Sequence, residues 1–202
     1  TTLYTIKNAL VHSKIAAMGR DTTMNFNDLN EQKRVVISPV GTHLSAVNLS
    51  TDKKMKMMDQ MDNLIKLPEL PNRLIKVGES WTSKIADTIK VSDQNPMGLN
   101  TLTEMQYVYV GKESKDGKEL IKVTYSGSLT VNGKGSQMGM DLFLEGTGKT
   151  EGFSYLDPVT FMIVYNEANT EMDMSIAISG QQNMTIPQTQ SLKSITKVEE
   201  KK

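Results

Sequence analysis

The chain contains no cysteine among its 202 residues. This absence excludes disulfide bonds, thiolate metal sites and cysteine nucleophiles within it. Histidine is almost as scarce: there are only His12 and His43, and neither lies in the spacing typical of a pair of metal ligands. We therefore predict no cofactor and no metal centre built from these residues.

Aromatic residues, long apolar runs and excess charge are also missing. Aromatics make up 5% of the chain, so Ile, Leu, Val and the 14 methionines must form most of a core. No apolar run reaches the roughly 18 residues that a membrane-spanning helix needs, which predicts no transmembrane segment. Basic and acidic residues both number 23. Without a basic stripe, nucleic acid is not an expected partner.

No catalytic motif is present either. The Gly-Ser pair at 127–128 lacks the Gly-x-Ser-x-Gly frame of a nucleophile elbow. The glycine pairs at 133–135 and 146–148 lie between predicted strands rather than before a helix, so we interpret them as hairpin turns and not as phosphate loops. The sequence therefore predicts that the protein is not an enzyme.

Alternating apolar and polar residues dominate the chain, as in Glu119–Val131 (ELIKVTYSGSLTV). This period of two is typical of half-buried strands. Turns are predicted at 115–117, 132–133, 146–148 and 156–158, where glycine, asparagine, aspartate or proline cluster. Strands without helices between them predict a mainly β fold built from antiparallel meander sheets. The predicted strands are Leu3–Val11, Lys14–Met18, Arg34–Ser38, His43–Leu49, Thr103–Val110, Glu119–Val131, Met138–Leu144, Phe161–Tyr165 and Met172–Ile178.

The sequence predicts a helix in one segment, about 53–66. Asp52 can cap it, and Pro68 ends it. Its apolar side chains recur at steps of three and four residues and form one stripe. We expect this helix to pack on a sheet, which makes the fold α+β. The stripe consists of Met57, Met58, Met61, Leu64 and Ile65.

A faint internal repeat suggests duplication. Ile6, Gly19 and Ser38 recur about 115 residues later as Ile121, Gly133 and Ser154. We therefore predict that residues 1–202 form one domain built of two pseudo-repeats. Residues 1–66 would be the first β-rich repeat with the helix, and 67–202 a linker with the second.

Methionine is the one excess that suggests a binding site. Three Met-x-Met pairs occur, at 55–57, 138–140 and 172–174, and on a strand both members of a pair face the same way. Core packing is the preferred interpretation; the alternatives are an apolar pocket for a lipid-like ligand and a soft ion such as Cu(I). The candidate ligand-binding residues are Met57, Met58, Met61, Met138, Met140 and Trp81.

The stretch Leu67–Trp81 (LPELPNRLIKVGESW), followed by Tyr-x-x-Val-Gly-Lys at Tyr107–Lys112, resembles a pattern in uncharacterised exported bacterial proteins, often lipoproteins. The resemblance covers about the last two-thirds of the chain. It implies an exported location: periplasmic, anchored to the outer membrane or at the cell surface. A lipid anchor upstream of Thr1 would fit such a protein, and the first residue, which is not Met, fits a processed or truncated form. These proteins are broadly similar to the curved-sheet lipoprotein carriers of the envelope, which is an analogy of fold.

Two functions follow from these patterns. The first is a non-enzymatic bacterial cell-envelope protein that binds a lipid-like or other apolar small molecule on a curved β-sheet. The alternative is a structural or interaction protein that docks a protein partner of the envelope through its sheet edges and loops.

Overall fold

The computed structural model describes residues 2–37, 43–48, 70–71, 73–91, 97–137, 139–180 and 183–200. These residues form nine strands and no helix, so the prediction of a mainly β fold is confirmed. The predicted helix over 53–66 lies outside the described residues and stays a prediction. The strands are β1 (Thr2–Ala17), β2 (Arg20–Ile37), β3 (His43–Asn48), β4 (Ser80–Ile89), β5 (Met97–Lys115), β6 (Lys118–Gln137), β7 (Met140–Leu156), β8 (Ile163–Ser179) and β9 (Met184–Glu200).

All nine strands belong to one antiparallel sheet with the order β3-β2-β1-β9-β8-β7-β6-β5-β4. From β4 to β9 each strand pairs with the next one in the chain, which confirms the predicted meander. The β1–β2 hairpin joins this meander through pairing of β1 with β9. As a result, the consecutive strands β3 and β4 lie at opposite edges of the sheet.

The strands are much longer than the sequence pattern predicts. β6 has 20 residues, which corresponds to about 65 Å at about 3.3 Å per residue. The predicted turn at 115–117 is confirmed: Asp116 and Gly117 have φ of 50° and 76° between β5 and β6. The predicted turns at 132–133 and 146–148 are wrong, because these residues lie in the interiors of β6 and β7.

The glycines in these strand interiors have a packing role instead of a turning role. Gly146 is paired with Met174 and Gly148 with Met172 on the neighbouring strand. A Cβ at Gly146 would lie 2.7 Å from the Met174 Cγ, so the methionine side chain occupies the space above the glycine. Glycine within a strand marks such a close approach. The same residue type is used for turns, which explains the wrong prediction.

The predicted duplication aligns Gly19 with Gly133, and the structure places these two residues differently. Gly19 has a φ of 72° and lies in the turn between β1 and β2. Gly133 lies within β6, between its partners Leu99 and Leu144. These glycines are therefore not equivalent, and the duplication itself stays a prediction.

The six strands β4–β9 have one apolar and one polar face. On β6, Val123, Tyr125 and Leu129 are buried, whereas Ser126 and Ser128, which point the other way, are exposed. The cross-strand register extends this division to the neighbouring strands. We define the apolar face by Trp81, Leu99, Met105, Tyr107, Val123, Tyr125, Leu129, Val131, Leu142, Leu144, Leu156, Ile163, Ala168, Met172, Met174, Ile176, Ile178 and Ile186.

The two ends of the sheet differ in how the apolar face is packed. The hydrophobic core extends from the middle of the sheet towards the end where β5 joins β6 and β7 joins β8, and we call this the closed end. At the other end, which we call the open end, β1–β2, β4–β5, β6–β7 and β8–β9 are joined. The closed half of the apolar face is the core cluster of Met105, Tyr107, Val123, Tyr125, Leu156, Ile163 and Ala168. The open half is formed by Leu99, Leu142, Leu144, Met174, Ile176 and Ile178.

Candidate functional site: the apolar face of the sheet

Aromatic packing fills the closed half of the apolar face. The Trp81 ring stacks on Tyr107 with 5.4 Å between ring centroids, and Tyr107 contacts Tyr125 at 6.0 Å. Leu70, which precedes β4, packs against the same cluster. Tyr107 and Leu156 are each only 1% exposed. This half is therefore a packed core rather than a pocket.

A buried polar group anchors this core. The hydroxyls of Tyr125 and Ser154 both donate hydrogen bonds of 2.8 Å to the Asn166 Oδ1 atom. Ser154 is fully buried, and burial raises the pKa of Tyr125 to about 12, although the hydrogen bond to Asn166 acts in the opposite direction. The hydroxyls are satisfied, so they pin the register of β6, β7 and β8 and leave no reactive group for substrate.

The open half has shorter, non-aromatic side chains and a different environment. Leu142 and Leu144 on β7 and their partners Ile178 and Ile176 on β8 are only half-buried. All substantial contacts between the described strands join hydrogen-bonded neighbours, so no second layer of described strands covers this half. A sheet face this apolar must be covered by another element or by a ligand.

The chemistry of the open half suits an apolar ligand. Its six side chains are aliphatic or thioether groups. In the cross-strand row of Met174 they are flanked by polar side chains on the same face, namely Gln188 on β9 and Thr101 and Asp87 on β5 and β4. Methionines such as Met174 are flexible and can adapt to ligands of different shape. The glycines opposite these residues have no side chain, so the Leu99 side chain lies directly over Gly133 and that of Met174 over Gly146. The arrangement can bind by burial of apolar surface, and it provides no catalytic group.

The polar face carries a separate depression of about 480 Å³. It is formed by two cross-strand rows on β5 to β8, with the small side chains Thr124 and Ser126 in the middle. Gln106, Glu151 and Asn169 surround these hydroxyls. The hydroxyl, amide and carboxylate groups fit a polar solute, so this depression is chemically distinct from the apolar face.

Charged and aromatic side chains form a network on the polar face near the closed end. Glu113 accepts hydrogen bonds from the Tyr155 hydroxyl at 2.8 Å and from the Lys122 ammonium at 3.1 Å. Both bonds, that from Tyr155 above all, hold the pKa of Glu113 below its usual value. The Lys115 ammonium lies 4.2 Å from the centre of the Tyr165 ring. These groups satisfy one another, which favours a structural role.

The structure describes only two of the six residues predicted to bind ligand. Trp81 lies in the closed half, stacked on Tyr107, and Met140 lies at the open end with 37% of its surface exposed. The other four, Met57, Met58, Met61 and Met138, lie outside the described residues. Met140 therefore lies next to the open half, and Trp81 lies in the packed core.

The aliphatic residues of the open half were not predicted as site residues. Leu142, Leu144, Ile176 and Ile178 alternate with polar residues, and this pattern predicts a buried face without showing whether anything covers it. The feature that could have identified these residues as a site is the pairing of a glycine-rich strand with an apolar one. That pairing depends on register, which the sequence does not reveal.

The described part of the chain contains neither a cluster of metal ligands nor a membrane-spanning helix. No three histidine, aspartate or glutamate side chains converge there in a way that could hold a metal ion. No helix in that part is long and apolar enough to cross a bilayer. His12 lies on β1 and His43 on β3, and β2 separates these two strands.

Comparison of the chain with protein-family models, with curated proteins and with solved structures found no match in any of the three.

Proposed function

We propose that the protein is a non-enzymatic binding protein that holds a lipid-like molecule, such as a fatty acyl chain, on the open half of its apolar face. The observation that carries this proposal is the contrast within one face. Tyr107 and Leu156 in the closed half are 1% exposed, whereas Leu144 and Ile176 in the open half remain half-buried. Apolar surface that the described strands leave uncovered is where an apolar ligand gains most from binding.

The shape of the surface favours a long, narrow ligand. The side chains of the open half stand in cross-strand pairs such as Leu144 with Ile176 and Leu142 with Ile178. Successive pairs on one face are about 7 Å apart along the strands, so they form a stripe parallel to β7 and β8. An extended acyl chain can contact several pairs of such a stripe at once.

The predicted helix over 53–66 fits this proposal as a cover. Its stripe of Met57, Met58 and Met61 provides apolar side chains of the same kind as the open half. A helix packed over the sheet would leave the ligand between two apolar surfaces. The proposed architecture also keeps the two predicted pseudo-repeats, residues 1–66 with the helix and residues 67–202.

We further propose that the protein is exported and works in the bacterial envelope, in the periplasm, at the outer membrane or at the cell surface. This location rests on the resemblance of Leu67–Trp81 and Tyr107–Lys112 to exported bacterial proteins. An envelope location would expose the protein to lipids, and a lipid anchor upstream of Thr1 would hold it there.

Titration with a dansyl-labelled fatty acid, followed by fluorescence, tests the binding proposal. The double variant Leu144→Asp/Ile176→Asp places charge in the open half, and we expect it to weaken binding at least tenfold, which is about 1.4 kcal/mol. The matched control is Thr147→Asp/Ser175→Asp, which adds the same charges to the polar face of the same two strands. We expect the control to bind within about twofold of the unchanged protein, as polar-face side chains do not touch the ligand.

Two results would contradict the proposal. One is the absence of micromolar binding by the unchanged protein together with the absence of an apolar adduct in its native mass spectrum. The other is equal loss of binding in the two double variants. Circular dichroism and urea unfolding of each variant show whether it folds, and the single variant Ile178→Asp replaces the double one if it does not.

The alternative function, docking of a partner by strand addition, is favoured by one feature. β4 (Ser80–Ile89) forms an edge of the sheet and pairs only with β5 among the described strands. Its free edge could accept an extended segment of another protein. Lys84 lies within this strand, and a charged side chain on an edge is a usual device against strand addition. The apolar face therefore supports the first proposal better.

A further inference from the structure

The exposed apolar side chains are confined to the two ends of the sheet. Ten large apolar side chains are exposed among the described residues, and none of them lies in the middle of the sheet. Five are at the open end: Met18, Val91, Met140, Phe143 and Met184. The other five are at the closed end: Leu74, Val77, Val110, Val159 and Phe161.

At the open end each pair of joined strands has at least one of these side chains in or next to the described part of its connection. Met18 lies in the β1–β2 turn with 67% exposed, and Val91 follows β4 with 61% exposed. Met140 begins β7 and Met184 begins β9, with 37% and 43% exposed. Four neighbouring hairpins thus present apolar groups along one end of the sheet. None of these groups is needed to pack the core.

Neighbouring connections at this end are also in contact. The Met140 side chain lies beside Gly180, where the β8–β9 connection begins: a Cβ at Gly180 would be 3.1 Å from the Met140 Cγ. On the polar side, the Lys134 ammonium lies 5.6 Å from the centre of the Phe143 ring. The open end therefore carries an apolar rim of separate side chains, and two of them border the open half: Met184 is the direct partner of Ile178, and Met140 lies two residues before Leu142 on the same strand.

We propose that the open end docks on the surface of a lipid bilayer, with this rim inserted at the level of the headgroups. The inference rests on the proposed function, because the bilayer would be the source or the recipient of the acyl chain. The main reason is continuity: a chain leaving the bilayer at the rim would pass onto the open half without crossing water. Apolar side chains that project singly from several turns suit insertion into a fluid interface better than the compact, concave centre of a protein interface.

The closed end exposes apolar side chains too, but it has no passage to the apolar face. Leu74 is 99% exposed and Val159 83%. Behind them the face is sealed by the core, where Tyr107 and Leu156 are each 1% exposed. A bilayer at this end would meet no surface able to receive a lipid. The closed end is therefore the natural control for the open one.

Among the described residues, charge at the open end is close to balance, with Lys134 next to Phe143 as one further positive charge. Arg20 and Lys90 lie beside Met18 and Val91, and Asp21 and Asp141 lie at the same end. Electrostatic attraction to anionic lipids should thus be a minor part of binding. We expect docking on phosphatidylcholine vesicles, and we expect added phosphatidylglycerol or salt to change it by less than about threefold.

Co-sedimentation of the purified chain with phosphatidylcholine vesicles tests this inference. The variant Met18→Asp/Val91→Asp changes two rim residues outside the proposed ligand stripe, and we expect its partition to vesicles to fall at least about tenfold. The control variant Leu74→Asp/Val159→Asp introduces the same charges at the closed end and should bind within about twofold of the unchanged protein. Both variants change exposed side chains, so both should keep the stability of the unchanged protein.

Failure of the inference can be separated from failure of the proposed function. If the unchanged chain does not bind vesicles, or if the closed-end variant loses binding and the open-end variant keeps it, docking by the open end is wrong. If dansyl fatty acid binding persists in that case, the proposed function stands alone. Binding of vesicles that Met18→Asp/Val91→Asp abolishes, without binding of the free fatty acid, would reject the proposed function and leave docking by the open end standing alone. Association of the chain with a protein partner that competes with vesicles would also overturn it.

Discussion

The closed and open halves of the apolar face lie on the same sheet, yet they differ in their side chains and in how these are packed. In the closed half, Trp81, Tyr107 and Tyr125 stack across β4, β5 and β6, and Leu70 packs on them. In the open half the side chains are shorter, aliphatic and half-buried. The difference shows that an apolar pattern predicts a face that avoids water but does not predict what covers it.

Both halves use glycine in the same way, which strengthens the comparison. In the closed half Gly152 lies beneath the Tyr125 ring, and in the open half Gly133 lies beneath Leu99. In both cases the large residue is the direct cross-strand partner of the glycine. The halves therefore differ in what lies above the large side chains and not in how the sheet beneath them is made.

The strongest test of the comparison is removal of one large side chain from each half. We expect Tyr107→Ala to lower the free energy of unfolding by about 3 to 5 kcal/mol, because it empties a fully buried site. Leu144→Ala in the open half should cost less than about 1.5 kcal/mol, since that side chain is already partly exposed. Urea unfolding followed by circular dichroism measures both values, and equal losses would show that the two halves are packed alike.

Alkaline pH should weaken the closed half through Tyr125. Its pKa is raised to about 12 by burial, whereas an unfolded tyrosine ionises near pH 10. The neutral hydroxyl thus contributes stability that is fully present below pH 10 and is lost as the pH rises to 12, by about 2 to 3 kcal/mol. We expect Tyr125→Phe to reduce the fall in unfolding free energy between about pH 9.5 and about pH 11.5, the lower part of this transition. An unchanged dependence of the unfolding free energy on pH would contradict the role of Tyr125.

Adding a single methyl group to a glycine in each half gives a finer test. A Cβ at Gly152 would collide with the Glu167 carbonyl oxygen and the Tyr125 ring, so backbone must move. At Gly133 the first contact, at 2.7 Å, is the end of the Leu99 side chain, which can rotate away. We expect Gly152→Ala to cost about 1 to 3 kcal/mol more than Gly133→Ala in urea unfolding. A larger cost at Gly133 would mean that the open half is as tightly held as the closed one.

The smallest effect is expected from exchanging Met174 of the open half and its neighbour Met172 for leucine. Met172→Leu/Met174→Leu keeps the volume and the apolar character, so the free energy of unfolding should change by less than about 1.5 kcal/mol. Affinity for the dansyl fatty acid should stay within about threefold, because leucine is equally apolar. A Cu(I) titration of the two proteins serves as the control. Micromolar Cu(I) binding that the exchange abolishes would favour the soft-metal alternative over the lipid.

Much of the fold could be predicted from local patterns. The alternation in Glu119–Val131 predicted a strand within β6, and the turn residues at 115–117 placed the β5–β6 hairpin correctly, since two adjacent residues with positive φ need such a sequence. The glycines at 133 and 146 misled the prediction because glycine serves turns and close cross-strand contacts equally well. The candidate site was predicted less well: Met140 lies beside it, but Trp81 belongs to the core.

The sequence by itself determined the fold class and excluded chemistry that needs cysteine within this chain. A period of two along most of the chain requires strands, and the lack of cysteine excludes thiolate sites, because both follow from properties of single residues and near neighbours. Only the tertiary structure decided that β1 joins β9, that glycines lie beneath large side chains, and that one half of the apolar face is sealed and the other open. These features depend on which strands meet and in which register, and residues far apart in the chain set both.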